Sequence, residues 1–486
     1  MNNKKTTLIP PEEMEKQRSF AKEVAVINRS CAGLRGREQL KAFVRTFGCQ
    51  MNEHDSEKIS GMLAEMGYGF GSSFEDADII IINTCCVREN AEEKVFGHLG
   101  ALKALKRNNP GLIICVCGCM TEQPHIVEEI RRKYKNVDLV FGTHNLHRLP
   151  ELVYNVLKTR ENIYEVSRLD KEVAEGVPVL RESNIKAWVT IMYGCDNYCT
   201  YCIVPYVRGH ERSRRPEDII KEISLLETAG ISEITLLGQN VNSYGKDLPE
   251  PVSFAELMSL ICRETGIKRI RFMTSHPKDI SEELIEVMAR EPQITKQLHL
   301  PVQSGSDRLL AKMNRHYGRE KYLDIIRRVR EKIPGISITT DIIVGFPGET
   351  EEDFRDTLSL VNEVRYDQAF TFIYSKRTGT PAATYPDQVP EDVVKNRFER
   401  LLELQNRISR EINDEYLGKT VEVLCEGNSK TNIDRYTGRT TGNKIVNFTA
   451  PYNVTGKFVK VKIESAETWS LFGSVITEDT NELQAE

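Results

Sequence analysis

Three cysteines stand at C-x3-C-x2-C in the stretch CDNYCTYC: Cys195, Cys199 and Cys202, with Tyr201 directly before the last. Clustered thiols at such spacing are metal ligands before they are anything else. A structural zinc takes four protein ligands, and a catalytic zinc often includes histidine. No fourth cysteine follows in register, but His210 is close enough in sequence to complete a Cys3His zinc site, which is the competing reading. A four-iron cluster is usually held by four thiolates, so three leave one iron open to an outside ligand. The amino and carboxylate groups of S-adenosylmethionine can occupy that position. An electron passed to the sulfonium then breaks a carbon–sulfur bond, giving a 5′-deoxyadenosyl radical able to take hydrogen from an unactivated carbon. The spacing, and the aromatic before the third cysteine, favour iron and sulfur over zinc.

The elements that must carry this loop are legible as alternating runs. From AFVRTFGC onward, apolar strand-like stretches at 42–49, 78–85, 112–119 and 137–141 alternate with helical ones, such as Ile59, Met62, Leu63 and Met66 at i, i+3, i+4, i+7. Continuous apolar strands between helices predict an open parallel sheet covered on both faces. The first three end in Cys49, Cys85 and Cys119, and ligand sites in such sheets gather beyond the strands' carboxyl ends. Cysteines far apart in sequence are therefore expected to meet at one point, against the alternative of three unrelated buried thiols. Cys86, Cys115 and Cys117 compete for the same role; Cys31, Cys262 and Cys425 have none assigned.

A charged stretch at 170–175 reads as a linker. Six more β/α units follow, with strands expected at 188–193, 233–237, 269–274, 297–302, 337–344 and 368–374. Full closure of a β/α barrel takes eight units, so six predict an incomplete one, with its active face again at the strands' carboxyl ends. A long amphipathic helix (392–415) leads into short period-2 runs from Gly418 on, the pattern of a small antiparallel barrel. The expected fold class is α/β. Its domains are a mobile extension over 1–40, with a short helix as an option within it, an N-terminal open-sheet domain over 41–158, the incomplete barrel over 181–415 and the small β-barrel over 416–478.

The 486 residues and 12 cysteines carry a net charge of −5, which removes the globally basic footprint of a simple nucleic-acid binder. No apolar run is long enough to span a membrane, and the polar start lacks a secretory core. A cytoplasmic enzyme is the expectation.

The motifs FGCQMN, NTCCVRENA, GCMTEQ, GCDNYCTYCIVPYVRGHERSR, LHLPVQSGSDRLLAKMNRHY, TTDIIVGFPGET and AFTFIYSKRTGTPAA occur in order over about 41–477. In them the chain resembles the radical S-adenosylmethionine methylthiotransferases, and most closely the branch acting on dimethylallyl-adenosine in tRNA. Val207 and Cys86 depart from that pattern. The resemblance implies a methylthiotransferase domain, a radical core and a C-terminal TRAM domain. It implies two [4Fe-4S] clusters, one on Cys195, Cys199 and Cys202 and an auxiliary one on Cys49, Cys85 and Cys119. The implied reaction places a methylthio group on carbon 2 of N6-dimethylallyladenosine 37, next to the anticodon, using two S-adenosylmethionine, sulfur and an electron-donating reductase such as a flavodoxin. Sister activities on threonylcarbamoyl-adenosine or on a ribosomal-protein aspartate share the scaffold. A zinc-stabilised RNA-binding protein without catalysis is the alternative of a different class.

Around the clusters, Tyr201, Gly238, Gln239, Asn240, Gln303 and Ser304 are expected at S-adenosylmethionine, with Gly345 and Gly348 letting backbone approach its adenine. Arg208, Arg212 and Arg214, beside the cluster loop, are expected to meet phosphates or carboxylates of substrate or cofactor, against a solvated helix start, and Arg435, Arg439 and Lys444 to meet tRNA from the small barrel. Phe370, Phe372 and Tyr374 alternate with Thr371, Ile373 and Ser375 on the last barrel strand, where at least one set is expected in the core, and the loop Ser375–Ala383 hangs at the mouth, where an apolar wall would suit the prenyl group. A monomer without membrane contacts is expected.

Overall fold

A computed structural model describes residues 5–86, 91–166, 172–430 and 432–476. Within the first domain, six strands form one all-parallel sheet in the order Tyr68–Phe70, Leu40–Thr46, Ile79–Thr84, Ile113–Gly118, Leu139–Phe141, Ile163–Glu165. The run of four isoleucines in the Ile79–Thr84 strand is explained by this position. Ile79 and Ile81 pack with Ile59, Leu63 and Val153 on one face, while Ile80 and Ile82 pack with Val95, Leu99 and Ile130 on the other. Both faces are buried, so alternation with polar residues is not needed.

Residues 5–40 are not the mobile extension that their polarity suggests. Pro11–Leu34 is a helix with proline in its first turn and Glu12 and Glu13 beside it, both favourable at a helix start. It buries Ala21, Val24 and Ala32 against the sheet's helices, and Asn28 Nδ2 donates to the Met66 carbonyl at 2.9 Å. Its small apolar residues and buried amides give a weak hydrophobic stripe, which is why the sequence understates it. Before the helix, Thr7–Leu8 pairs in parallel with Glu172–Val173, and Thr6 bonds Asp247 of the barrel. The expected linker, whose first residues 170 and 171 lie outside the described ones, is thus woven into the junction.

The second domain has six parallel strands: Lys186–Thr190, Glu233–Leu237, Arg269–Phe272, Gln297–His299, Ser337–Val344 and Gln368–Ile373. They pair as two groups of three, joined by the bridge Ile270–Ile294. Among the described residues the first and last strands do not pair, so the barrel is open at that seam. The helix Glu391–Asp414 packs along the last strand.

From Thr420 a closed five-stranded barrel follows, in the order Thr420–Asn428, Tyr436–Thr440, Ile445–Thr449, Leu471–Val475, Phe458–Ala466. One pair departs from the expected antiparallel pattern: Ile445–Thr449 and Leu471–Val475 run parallel. This barrel is bolted to the second domain by Arg271, whose guanidinium donates to the Thr440 carbonyl at 2.7 Å, and by the Lys444–Asp367 ion pair at 2.8 Å. The expected end of the small barrel, 477–478, lies outside the described residues.

Candidate active site

The carboxyl ends of both parallel sheets face one another. Cys49 stands at the N-cap of the helix Gln50–Glu65, Cys85 follows the Ile79–Thr84 strand directly, and Cys119 begins a short 3-10 turn after the Ile113–Gly118 strand. Two glycines let these ends close up. Gly48 has φ +126°, and a Cβ there would sit 2.6 Å from the Cys85 Cβ; Gly118 has φ +100°, and a Cβ there would sit 2.4 Å from the Thr84 carbonyl oxygen. Asn52 ties the ends together, its Nδ2 donating to the carbonyls of Phe47 (2.9 Å) and Thr84 (2.8 Å). Cys49, Cys85 and Cys119 line one cavity of ≈ 330 Å³ together with Cys195, Cys199 and Cys202.

The competing cysteines do not line this cavity. Cys115 and Cys117 are buried on the helix-covered face of the sheet, where burial pushes their thiols up. Cys86 is buried with Ile203 and Val207 of the second domain. Its thiol hydrogen-bonds Cys119, which raises Cys86, with burial adding to the effect. The same bond, aided by the Arg208 guanidinium and opposed by burial, brings Cys119 down to about 7. Cys86 is therefore the donor and Cys119 the acceptor. In the loop, burial pushes Cys195 up and Cys202 up to about 12.

His210 does not complete a zinc site. Its Nδ1 is 2.7 Å from Asp196 Oδ1, and both side chains are about half exposed, outside the cavity wall. Among the described residues, no group of three His, Cys, Asp or Glu is drawn together as a single metal ion requires. Two triads of thiols on one cavity suit iron–sulfur cubes with open corners. Each triad also has a buried cation at one sulfur. The Arg208 Nε donates to Cys119 Sγ at 3.1 Å, and an Arg315 terminal nitrogen donates to Cys199 Sγ at 3.4 Å.

The cavity also fits a polar cofactor. Gln239 Oε1, Ser275 Oγ and His276 Nε2 are buried, lie on residues of its wall and have no hydrogen-bond partner among the described residues. Each such orphan costs about 1–3 kcal/mol unless a ligand meets it. His276 Nδ1 accepts from the Lys278 backbone N–H at 3.2 Å, so a neutral ring carries its proton on Nε2. Burial, then the nearby Arg315 and Lys278 charges, hold the imidazole down to about 2, so it stays neutral.

Of the other residues expected at the cofactor, Tyr201, Gly238 and Gln303 are on the cavity wall. Asn240 is buried beside it, its Nδ2 donating to Asp279 at 2.8 Å. Three are placed otherwise. Ser304 is fully buried, accepting from the Ser306 N–H at 3.2 Å. A Cβ at Gly345 would meet Val394, and one at Gly348 would meet Asp387 and Lys312, so the absent side chains make room for protein. Arg315, His276 and Asp341, all on the wall, have no role assigned by the sequence, although Arg315 and Asp341 stand in the quoted motifs LHLPVQSGSDRLLAKMNRHY and TTDIIVGFPGET.

The arginine forks expected to face phosphate are turned inward. Arg208 is 4 % exposed and pairs with Asp55 at 2.8 Å. Arg212 lies 2.7 Å from His144 Nδ1 and over the Tyr193 ring. Arg214 is held by Glu175 and Glu222 at 2.6 and 2.7 Å. Arg208 and Arg212 join the two domains, Arg214 ties the second domain to the segment that carries Glu175, and Arg208 also lines the cavity. In the small barrel, Arg435 is half-buried over Phe472, Arg439 reaches Asn443 and Glu426, and Lys444 is committed to Asp367.

Beside the first cavity, and sharing Cys49, Cys85, Tyr201, Cys202, Gln303 and Asp341 with it, opens a second of ≈ 690 Å³. Its outer wall includes Phe370, Phe372 and Ile373, which are 41 %, 50 % and 41 % exposed.

Residues 189–361 match the Radical SAM superfamily, residues 41–142 match the Uncharacterized protein family UPF0004, and residues 414–476 match the TRAM domain. The fold resembles the radical S-adenosylmethionine methyltransferase TsrM from Kitasatospora setae, with a TM-score of 0.53 and 13% identity over 71% of this chain and 74% of that one. The tRNA-2-methylthio-N(6)-dimethylallyladenosine synthase of Acetivibrio thermocellus is 56% identical over 98% of both chains. That of Alkaliphilus oremlandii is 53% identical over 98% of this chain and 100% of its own. With these relatives matched along nearly its whole length, the chain belongs to the tRNA-2-methylthio-N(6)-dimethylallyladenosine synthase family of radical SAM enzymes.

Proposed function

We propose that this enzyme converts N6-dimethylallyladenosine 37 of tRNA to its 2-methylthio derivative. The observation that carries the reading is the meeting of two cysteine triads on one cavity that continues into an apolar mouth. Cys195, Cys199 and Cys202 hold one [4Fe-4S] cluster, and Cys49, Cys85 and Cys119 hold the second. When bound, the first cluster and S-adenosylmethionine supply the radical that takes hydrogen from carbon 2 of adenine, and the second cluster presents the sulfur that a second S-adenosylmethionine methylates.

The chain's own residues hold and orient these groups. Arg315 and Arg208 offset the negative charge of the two thiolate sets. Gln239, Ser275 and His276 offer S-adenosylmethionine an acceptor, a hydroxyl and an N–H donor; Tyr201 and Gln303 flank it. Phe370, Phe372 and Ile373 give the five-carbon prenyl group a dry wall, contributing a few kcal/mol at about 0.8 per methylene. The TRAM barrel meets the tRNA backbone through Arg435 and Arg439. An external reductase such as a flavodoxin supplies electrons, and the enzyme acts as a cytoplasmic monomer. The units are a methylthiotransferase domain over 41–158, a radical core over 181–415 and a TRAM domain over 416–478.

Mass spectrometry of tRNA nucleosides from a deletion strain tests the substrate. Loss of the methylthio mark with accumulation of dimethylallyladenosine is expected, restored by this gene. Loss from threonylcarbamoyl-adenosine instead would overturn the assignment.

A further inference from the structure

The loop that supplies Cys202 continues directly into a short helix, Val204–Arg208, and that helix ends inside the other domain. Ile203 and Val207 pack against Cys119 and Cys86. Thr143 Oγ1 donates to the Val207 carbonyl at 3.3 Å. At the helix end, Arg208 donates from Nε to Cys119 Sγ at 3.1 Å and from a terminal nitrogen to Asn52 Oδ1 at 2.8 Å, and it pairs with Asp55 at 2.8 Å. Arg208, Cys119 and Asp55 are 4 %, 4 % and 5 % exposed. A guanidinium so far from water sits there because polar partners surround it: Nε is on a sulfur, and one terminal nitrogen is shared between an amide oxygen and a carboxylate.

We propose that Arg208 is a positioning residue for the second cluster. It fixes Cys119 relative to the radical core and sets the reduction potential of the group that Cys119 holds. This rests on the reading that Cys49, Cys85 and Cys119 bind a cluster. A buried positive charge and an N–H bond at a ligand sulfur favour the more negative, reduced state, because hydrogen bonds to sulfur, net charge and burial set such potentials. Asp55 opposes the effect, since its carboxylate partly cancels the guanidinium. Because the same short segment ends in Cys202 on one side and in Arg208 on the other, the ligand frame of one centre is continuous with that of its neighbour.

The test is redox titration of the anaerobically reconstituted full-length enzyme, followed by electron paramagnetic resonance. The second centre is isolated by a Cys199→Ala background that lacks the first. Arg208→Gln is expected to shift the reduced-to-oxidised ratio at fixed potential about tenfold, a move of about 59 mV to more negative potential for a one-electron couple. Asp55→Asn is expected to move it the other way by a few fold. Arg208→Lys, which keeps the charge, restores most of the shift. Opposite signs for neighbouring residues are not produced by loosening of the fold. Wild-type-like potentials in both Arg208→Gln and Asp55→Asn, or shifts of the same sign, overturn the proposal while leaving the second cluster standing. If Arg208→Gln does not retain the centre, the sign in Asp55→Asn and the value in Arg208→Lys decide. A wild-type protein with about four irons instead of about eight overturns this proposal together with the reading on which it rests.

Discussion

The two cysteine triads reach the same cavity by different routes. Cys195, Cys199 and Cys202 come from one loop, where the short spacing holds them near one another, and Thr200 and Cys202 are fixed by backbone bonds to Met313 and Cys199. Cys49, Cys85 and Cys119 come from three separate strands and converge only when the parallel sheet forms in register, with Gly48 and Gly118 allowing the last close approach. A local triad survives disturbance of the rest of its domain; a dispersed one depends on all of it. The difference also extends to the surroundings. The loop triad faces the orphaned polar atoms of Gln239, Ser275 and His276, whereas the dispersed triad is braced by Asn52 and Arg208.

The strongest way to break this comparison is Cys199→Ala. S-adenosylmethionine cleavage and methylthio product both fall below detection, and bound iron drops from about eight to about four per chain. Retained 5′-deoxyadenosine by chromatography would contradict the division of labour. Cys85→Ala is expected to lose the methylthio product while 5′-deoxyadenosine still forms, so a loss of both would mean that the triads do not act separately.

His276→Gln sharpens the account of the loop triad's surroundings. The KM for S-adenosylmethionine rises about tenfold, as for one hydrogen bond to a charged group, with a smaller change in kcat. Burial and the neighbouring cations hold the imidazole pKa down to about 2, far below its unfolded value. The ring is therefore neutral in the folded enzyme across the working range, and the effect of the substitution is the same at pH 6 and pH 8. A pH-dependent difference, read from initial rates, would count against this role. The smallest effect is expected from Cys86→Ala, which removes a donor to Cys119 but no cavity-lining thiol: product forms within about threefold of wild type, and stability falls by about 1 kcal/mol. Complete loss of product in that variant would move the ligand role from Cys85 to Cys86.

Much of this architecture was legible in the chain because its signals are local. The C-x3-C-x2-C spacing needs no tertiary context, and the Glu233–Leu237 and Ser337–Val344 strands fall where their apolar runs place them. The strand-end positions of Cys49, Cys85 and Cys119 are legible because each closes an apolar run, with glycine directly before Cys49 and Cys119. What failed was long-range. RGHERSRR reads as exposed charge, and nothing near it in sequence announces Asp55, Glu175 or His144 as partners. Gly345 and Gly348 do relieve crowding, but the crowding groups, Val394 and Asp387, come from a later segment. Arg315 went unassigned for the same reason, since its bond to Cys199 crosses more than a hundred residues.

The strap made by Thr6 and the Thr7–Leu8 pairing carries a consequence for how the molecule is put together. Thr6 meets Asp247, a residue 241 positions further along the chain. On a ribosome that emits residues from the N-terminal side at about 5–20 per second, the sheet can fold early, but its fastening to the barrel must wait many seconds for that partner to emerge. During this interval the thiols at the sheet's edge stand before an unclosed junction.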